Sequence, residues 1–333
     1  MSKRSESVSA EACVALGATR PELEAYPNKD LNLGSLAISR ALPVRDRRLV
    51  GPWCFLDRFG PLTFSEGKPM DVAPHPHIGL QTVTWLLDGE VLHDDSLGSQ
   101  SILRPGAVNV MTSGAGIAHA EQTPRDHSGR LNGVQLWVAL PELHRNISAD
   151  FTHVPDVPIA DVPGGRAHVF AGTLLGERSS APHYSELLGA DLQLHPRGTL
   201  NVPLTPAFEH AILVLEGDCA LDGEPMEPRV LYYLGTQRTA AACSSCDGGR
   251  ALLFGGAPFF LLAPAMNPGG SSGGPRGFSV AAYPSAAPAA HFKGANGKRL
   301  SLEDFPGRVV LLNIWATSCA PCRAEMPSLD RLQ

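Results

Sequence analysis

Gln81-Thr82-Val83-Thr84-Trp85-Leu86-Leu87-Asp88-Gly89 decides how the chain folds. On a β-strand, successive side chains point to opposite faces. Val83, Trp85 and Leu87 therefore share one face, and Thr82 and Thr84 share the other. The β-rich composition supports a strand, and Asp88-Gly89 reads as the turn that ends it. Just upstream stands His75-Pro76-His77. Downstream, Val108-Asn109-Val110-Met111 alternates again, Ser113-Gly114-Ala115-Gly116 makes a turn, and His119-Ala120-Glu121 follows. Both pairs have i, i+2 spacing, so a strand would aim both side chains of each pair the same way. Pro76 removes a backbone donor, which places the first pair at a strand start or edge. Alone, a His-x-His pair reads as a surface pair or a satisfied core pair. Two such pairs facing each other inside a small barrel would offer three imidazoles and one carboxylate. That donor set, His75, His77, His119 and Glu121, suits a divalent transition metal such as Fe, Mn, Ni or Cu, with Zn not excluded.

The second half of the chain echoes the first. Leu213-Val214-Leu215-Glu216-Gly217-Asp218 resembles Trp85-Leu86-Leu87-Asp88-Gly89-Glu90 at an offset of 128 residues. A duplicated, all-β architecture of two antiparallel barrels is the expectation. At that offset His75, His77, His119 and Glu121 fall on Pro203, Thr205, Asp247 and Gly249. The second barrel is thus expected to keep its strands without the ligands. His195 and His210 read as isolated structural histidines.

Four motifs occurring in order resemble the pirin family: Gly51-Pro-Trp-Cys-Phe-Leu-Asp57, Pro74-His-Pro-His-Ile-Gly79, His93-Asp-Asp-Ser-Leu-Gly98 and Ser113-Gly-Ala-Gly-Ile-Ala-His-Ala-Glu121. The resemblance covers about residues 20 to 265. It implies two cupin (jelly-roll) barrels with short helices, and one iron held by His75, His77, His119 and Glu121. Pirins commonly carry Glu where this chain has Gln81, a position outside the family's ligand set. Bacterial pirins are linked to quercetin 2,3-dioxygenase activity. The resemblance therefore implies a metal-dependent oxidoreductase in which a flavonol, a small aromatic substrate, gives up a hydroxyl proton to Glu121. The eukaryotic relatives are co-regulators of transcription factors. They imply the alternative, a non-enzymatic metal- or redox-sensing protein with a protein partner.

Around these motifs the chain divides into an N-terminal metal-binding cupin at 1–150, a degenerate cupin at 151–265, a linker at 266–290 and a last segment at 291–333. The linker rests on composition, with Pro268-Gly-Gly-Ser-Ser-Gly-Gly-Pro275 and Ala286-Ala-Pro-Ala-Ala290. The last segment carries Val309-Val-Leu-Leu-Asn-Ile-Trp315 and Cys319-Ala-Pro-Cys322. It resembles thioredoxin-like thiol–disulfide oxidoreductases, with Ser318 where that family has Trp. An α/β segment, incomplete as a thioredoxin-like domain, is the expectation. It offers a third function through Cys319 and Cys322, with little disulfide exchange.

Smaller features complete the reading. Cys54 reads as a small core residue, and Asp57-Arg58 as an ion pair at a barrel rim. His93-Asp94-Asp95 precedes a turn-like stretch and reads as a solvated loop rather than a second metal site. Trp137, in the alternating Val134–Ala139, either lines a pocket or packs in the core. Cys243-Ser-Ser-Cys246 reads as a loop. The net charge of −6 over 333 residues argues against nucleic acid or an anionic membrane as partner. Met1–Val8 is polar with no apolar run after it, and no stretch approaches the ~18 apolar residues that cross a bilayer. The seven cysteines show no disulfide framework. A cytoplasmic location is expected.

Overall fold

The computed structural model describes residues 23–33, 36–64, 70–259, 291–293 and 299–301. Two jelly-roll barrels fill most of this span, each built from a seven-stranded and a four-stranded sheet. In the first barrel the large sheet runs Asp150–Val154, Val108–Thr112, Leu80–Gly89, Arg130–Ala139, Trp53–Thr63, Leu36–Leu42 and Lys29–Leu33, side by side in that order. Its small sheet runs Asp71–His77, Ile117–Gln122, Val91–Asp95 and Gln100–Leu103. The second barrel repeats the plan. Its large sheet is centred on Glu209–Gly217 between Val230–Gly235 and Gly249–Gly256, and its small sheet on Ala240–Ser244 and Cys219–Leu221. The strand registers through both large sheets are antiparallel. Glu24–Pro27, near the N-terminus, crosses over and pairs with Val230–Gly235 of the second barrel.

The alternation in Leu80–Gly89 explains how the barrels meet. Val83, Trp85 and Leu87 belong to a core shared by both barrels, which also contains Trp53, Leu136, Phe170, Leu213, Leu215 and Phe254. Thr84 faces the interior of the first barrel, where it reaches Glu121. The same split occurs in Glu209–Gly217. Leu213 and Leu215 join the shared core, while Ile212 and Val214 face inward among Leu192, Leu200 and Val202. Thr84 of the first barrel thus corresponds to Ile212 of the second, and a polar wall becomes an apolar one. Each fully buried large side chain contributes about 1.5–3 kcal/mol, so the shared core ties the barrels together. Hydrogen bonds reinforce it: Trp85 Nε1 donates to Asp191 Oδ2 at 2.9 Å, and Trp53 Nε1 to the Gly255 carbonyl at 2.9 Å.

Gly89 and Gly217 close the two central strands in the left-handed region, with φ of 86° and 68°. A Cβ at Gly89 would stand 2.0 Å from the Arg130 carbonyl oxygen, so the turn requires glycine.

Several expectations are corrected. Among the described residues there is no helix. Pro141–Ser148 instead makes separate turns, with His144 N donating to the Pro141 carbonyl and Ile147 N to the His144 carbonyl. Asp57 pairs with Arg40 rather than Arg58, through two bonds of 2.8 Å across neighbouring strands. Cys243 is no loop residue. It lies in Ala240–Ser244, fully buried, and burial pushes its thiol up to about 12. His93-Asp94-Asp95 is no solvated loop but the end of the strand Val91–Asp95. Among the described residues, no helix is long and apolar enough to cross a membrane. Of the last segment, His291–Lys293 pairs with Arg299–Ser301. Cys319 and Cys322 lie outside the described residues.

Candidate metal centre

Three neighbouring strands of the small sheet build the site. Asp71–His77 is its edge strand and carries His75 and His77, as Pro76 requires. Ile117–Gln122 carries His119 and Glu121. Val91–Asp95 lies beside it in a register that sets Glu121 opposite His93 and His119 opposite Asp95. Because i and i+2 share a face, His119 and Glu121 point inward together, and so do His93 and Asp95.

The donor atoms of His75, His77 and His119 lie within 4.8 Å of one another, as do those of His93, His119 and Glu121. His119 belongs to both groups and stands at their centre. His77, His93, His119 and Glu121 are buried, while His75 is partly exposed at the rim. His75 Nδ1 lies 2.9 Å from the Ala73 carbonyl oxygen. The rings of His77 and His119 pack with centroids 5.0 Å apart.

Glu121 is enclosed, and its carboxyl is pushed up to about 7 by burial, against a lowering hydrogen bond from Thr84. Thr84 Oγ1 stands 3.2 Å from Glu121 Oε1 and 2.8 Å from Gln135 Oε1. A bound cation would reverse the effect of burial and favour the carboxylate. Trp137 borders the site. Its ring meets His77 edge-on at 5.0 Å and stacks on Phe55 at 4.0 Å. Arg40 caps the other face of Phe55 at 4.5 Å while holding Asp57. Trp137 is half-buried beside His77. Cys54 behind it is partly buried, with its thiol pushed up to about 11 by burial.

Sequence reasoning missed His93. The ring is 2% exposed, stacks on Phe151 at 4.2 Å, and lies 3.0 Å from Asp95 through Nε2. Desolvation lowers its pKa against the pull of Asp95, so the ring is neutral near pH 7. Desolvation raises the Asp95 carboxyl, but hydrogen bonds from His93, Ser99 and Leu97 outweigh it and hold Asp95 below its usual value. A signal existed: Val91, His93 and Asp95 continue the alternation of a strand. The turn residues Ser96-Leu97-Gly98-Ser99 had hidden it.

His75, His77 and His119 form one donor group and His93, His119 and Glu121 another, joined at His119, and donors of these types suit a divalent metal ion. Comparisons with known proteins agree with the fold. The Pirin family model matches residues 36–138, and the Redoxin family model matches residues 284–333. A Pseudomonas aeruginosa protein, provisionally named a quercetin 2,3-dioxygenase, is 46% identical over 226 residues, covering 68% of this chain and 71% of that one. A pirin-like protein of Caulobacter vibrioides is 37% identical over 234 residues, covering 68% and 81%. The crystal structure of a quercetin 2,3-dioxygenase from Acinetobacter baumannii aligns with a TM-score of 0.69 at 39% identity, covering 71% of this chain and 79% of that one.

Proposed function

We propose, for a chain that belongs to the pirin family, a mononuclear metal protein that oxidises a flavonol-type substrate in its first barrel. One observation carries this reading: His75, His77 and His119 bring their donor atoms within 4.8 Å of one another, and His119 does the same with Glu121 and His93. We assign His75, His77, His119 and Glu121 as the ligands. Iron is the proposed metal, by likeness to the family, although the same donors accept Mn, Ni, Cu or Zn. When bound, the metal would supply a Lewis-acid and redox centre.

The chain's own residues do the rest. Glu121, whose carboxylate form a bound cation would favour, accepts the proton of an acidic substrate hydroxyl. Thr84 orients that carboxylate through Oε1. Trp137, stacked on Phe55 and meeting His77 edge-on, gives the site an aromatic border beside which an aromatic substrate can bind.

Oxygen uptake by the metal-loaded full chain, with a panel of flavonols, tests the reading. Uptake that depends on added metal and falls at least about tenfold in Glu121→Gln is the expected result. Metal-loaded protein that consumes no oxygen with any flavonol would overturn the enzyme and leave a metal-binding regulator.

A further inference from the structure

Resting on the metal-site reading above, we infer that Asp95 and His93 form a two-residue brace that fixes which nitrogen of His119 faces the metal. The geometry is a chain of three groups on adjacent strands. Asp95 Oδ1 accepts from the backbone N–H groups of Leu97 at 2.9 Å and Ser99 at 3.1 Å, so the carboxylate cannot turn. Its Oδ2 lies 3.0 Å from His93 Nε2. A carboxylate only accepts, so His93 carries its proton on Nε2 and offers a lone pair at Nδ1. That Nδ1 lies 3.4 Å from His119 Nδ1. His119 therefore carries its proton on Nδ1 and presents Nε2 as the donor nitrogen.

The arrangement also decides the role of His93. Its donor atoms group with those of His119 and Glu121, so His93 is a candidate ligand by position alone. Both of its ring nitrogens are engaged, however, one by Asp95 and one by His119. Its ring is clamped flat on Phe151, at an interplanar angle of 13°. His93 is therefore a positioning residue behind His119. Such partners of a ligating histidine set its tautomer and raise its basicity, and losing them costs roughly 10–100-fold in metal affinity.

Asp95→Asn inverts the chain while keeping its shape. The amide oxygen of Asn can retain the Leu97 and Ser99 bonds, leaving its NH₂ to face His93 Nε2. His93 must then accept there and carry its proton on Nδ1. His119 must accept in turn, which moves its own proton onto Nε2, the nitrogen the metal needs.

Two readouts on the full chain test this. The first is ¹⁵N NMR of histidine-labelled, metal-free protein. The expected spectrum of the unsubstituted protein shows His119 protonated on Nδ1 and His93 on Nε2, with both reversed in Asp95→Asn. The second is Ni(II) affinity by competition with a chromogenic chelator, expected to weaken roughly 10–100-fold in Asp95→Asn. Protein with His119 protonated on Nε2, or an Asp95→Asn variant that binds Ni(II) as tightly as its parent, would overturn the brace. Should Asp95→Asn not fold, the tautomers of the unsubstituted protein decide the matter alone. Failure of the unsubstituted protein to bind Ni(II) would instead count against the metal site, and the metal-free NMR readout distinguishes the two.

Discussion

His210 shows how one buried side chain couples the fold to pH. It has no exposed surface, and desolvation lowers its pKa to about 4 from the usual 6.5. In the unfolded chain it takes up a proton near pH 6.5, while in the folded chain it does so only near 4. Between those values the unfolded state binds more protons, so stability falls as the pH falls. The shift is worth about 3 kcal/mol when complete. We expect denaturant midpoints to drop between pH 6.5 and 4, and His210→Leu to flatten that slope whatever it does to stability at pH 7. A slope unchanged in His210→Leu would place the acid sensitivity elsewhere. The inward aim of His119 and Glu121 followed from their spacing and was legible in the sequence. The neighbours they meet were not. His93 and Asp95 come from a strand whose end looked like a turn. Asp57 chose Arg40 on the adjoining strand over its own neighbour Arg58, because strand pairing sets a partner that sequence distance hides.

At the scale of elements, the strand Leu80–Gly89 was legible in both its faces. One face packs between the barrels and the other lines the site, because a period of two leaves no other choice. Its closing glycine gives a sharp test. Gly89 and Gly98 have nearly the same backbone, with φ of 86° and 88°. Either substitution to Ala costs about 1–2 kcal/mol for the left-handed conformation. Only Gly89 adds a collision, since its Cβ would lie 2.0 Å from the Arg130 carbonyl oxygen while nothing lies within 4 Å at Gly98. Thermal unfolding should therefore show Gly89→Ala clearly less stable than Gly98→Ala. Equal melting temperatures would mean that the Arg130 strand yields freely. The crossing of Glu24–Pro27 to the second barrel was not legible, because an exposed four-residue strand carries no pattern that names its partner.

At the scale of the whole molecule, duplication has produced two barrels with one shared core and unlike interiors. Trp53, Trp85, Phe170 and Phe254 all belong to that shared core, and Trp85 and Asp191 bridge it with a buried hydrogen bond. Neither barrel can open without exposing it, so the barrels should unfold in one transition, with calorimetric and van't Hoff enthalpies in agreement. Two resolved transitions would show that the shared core is weaker than its burial implies. The interiors differ in polarity: Thr84 stands beside Glu121 in the first barrel, and its counterpart Ile212 lies among apolar side chains in the second.

Metal content per chain, measured by mass spectrometry after reconstitution and removal of free ions, tests the central claim most directly. The account predicts close to one divalent ion per chain, with most of it lost in His77→Ala and in the His77→Ala/His119→Ala double variant. A double variant that still holds one ion per chain would contradict the account.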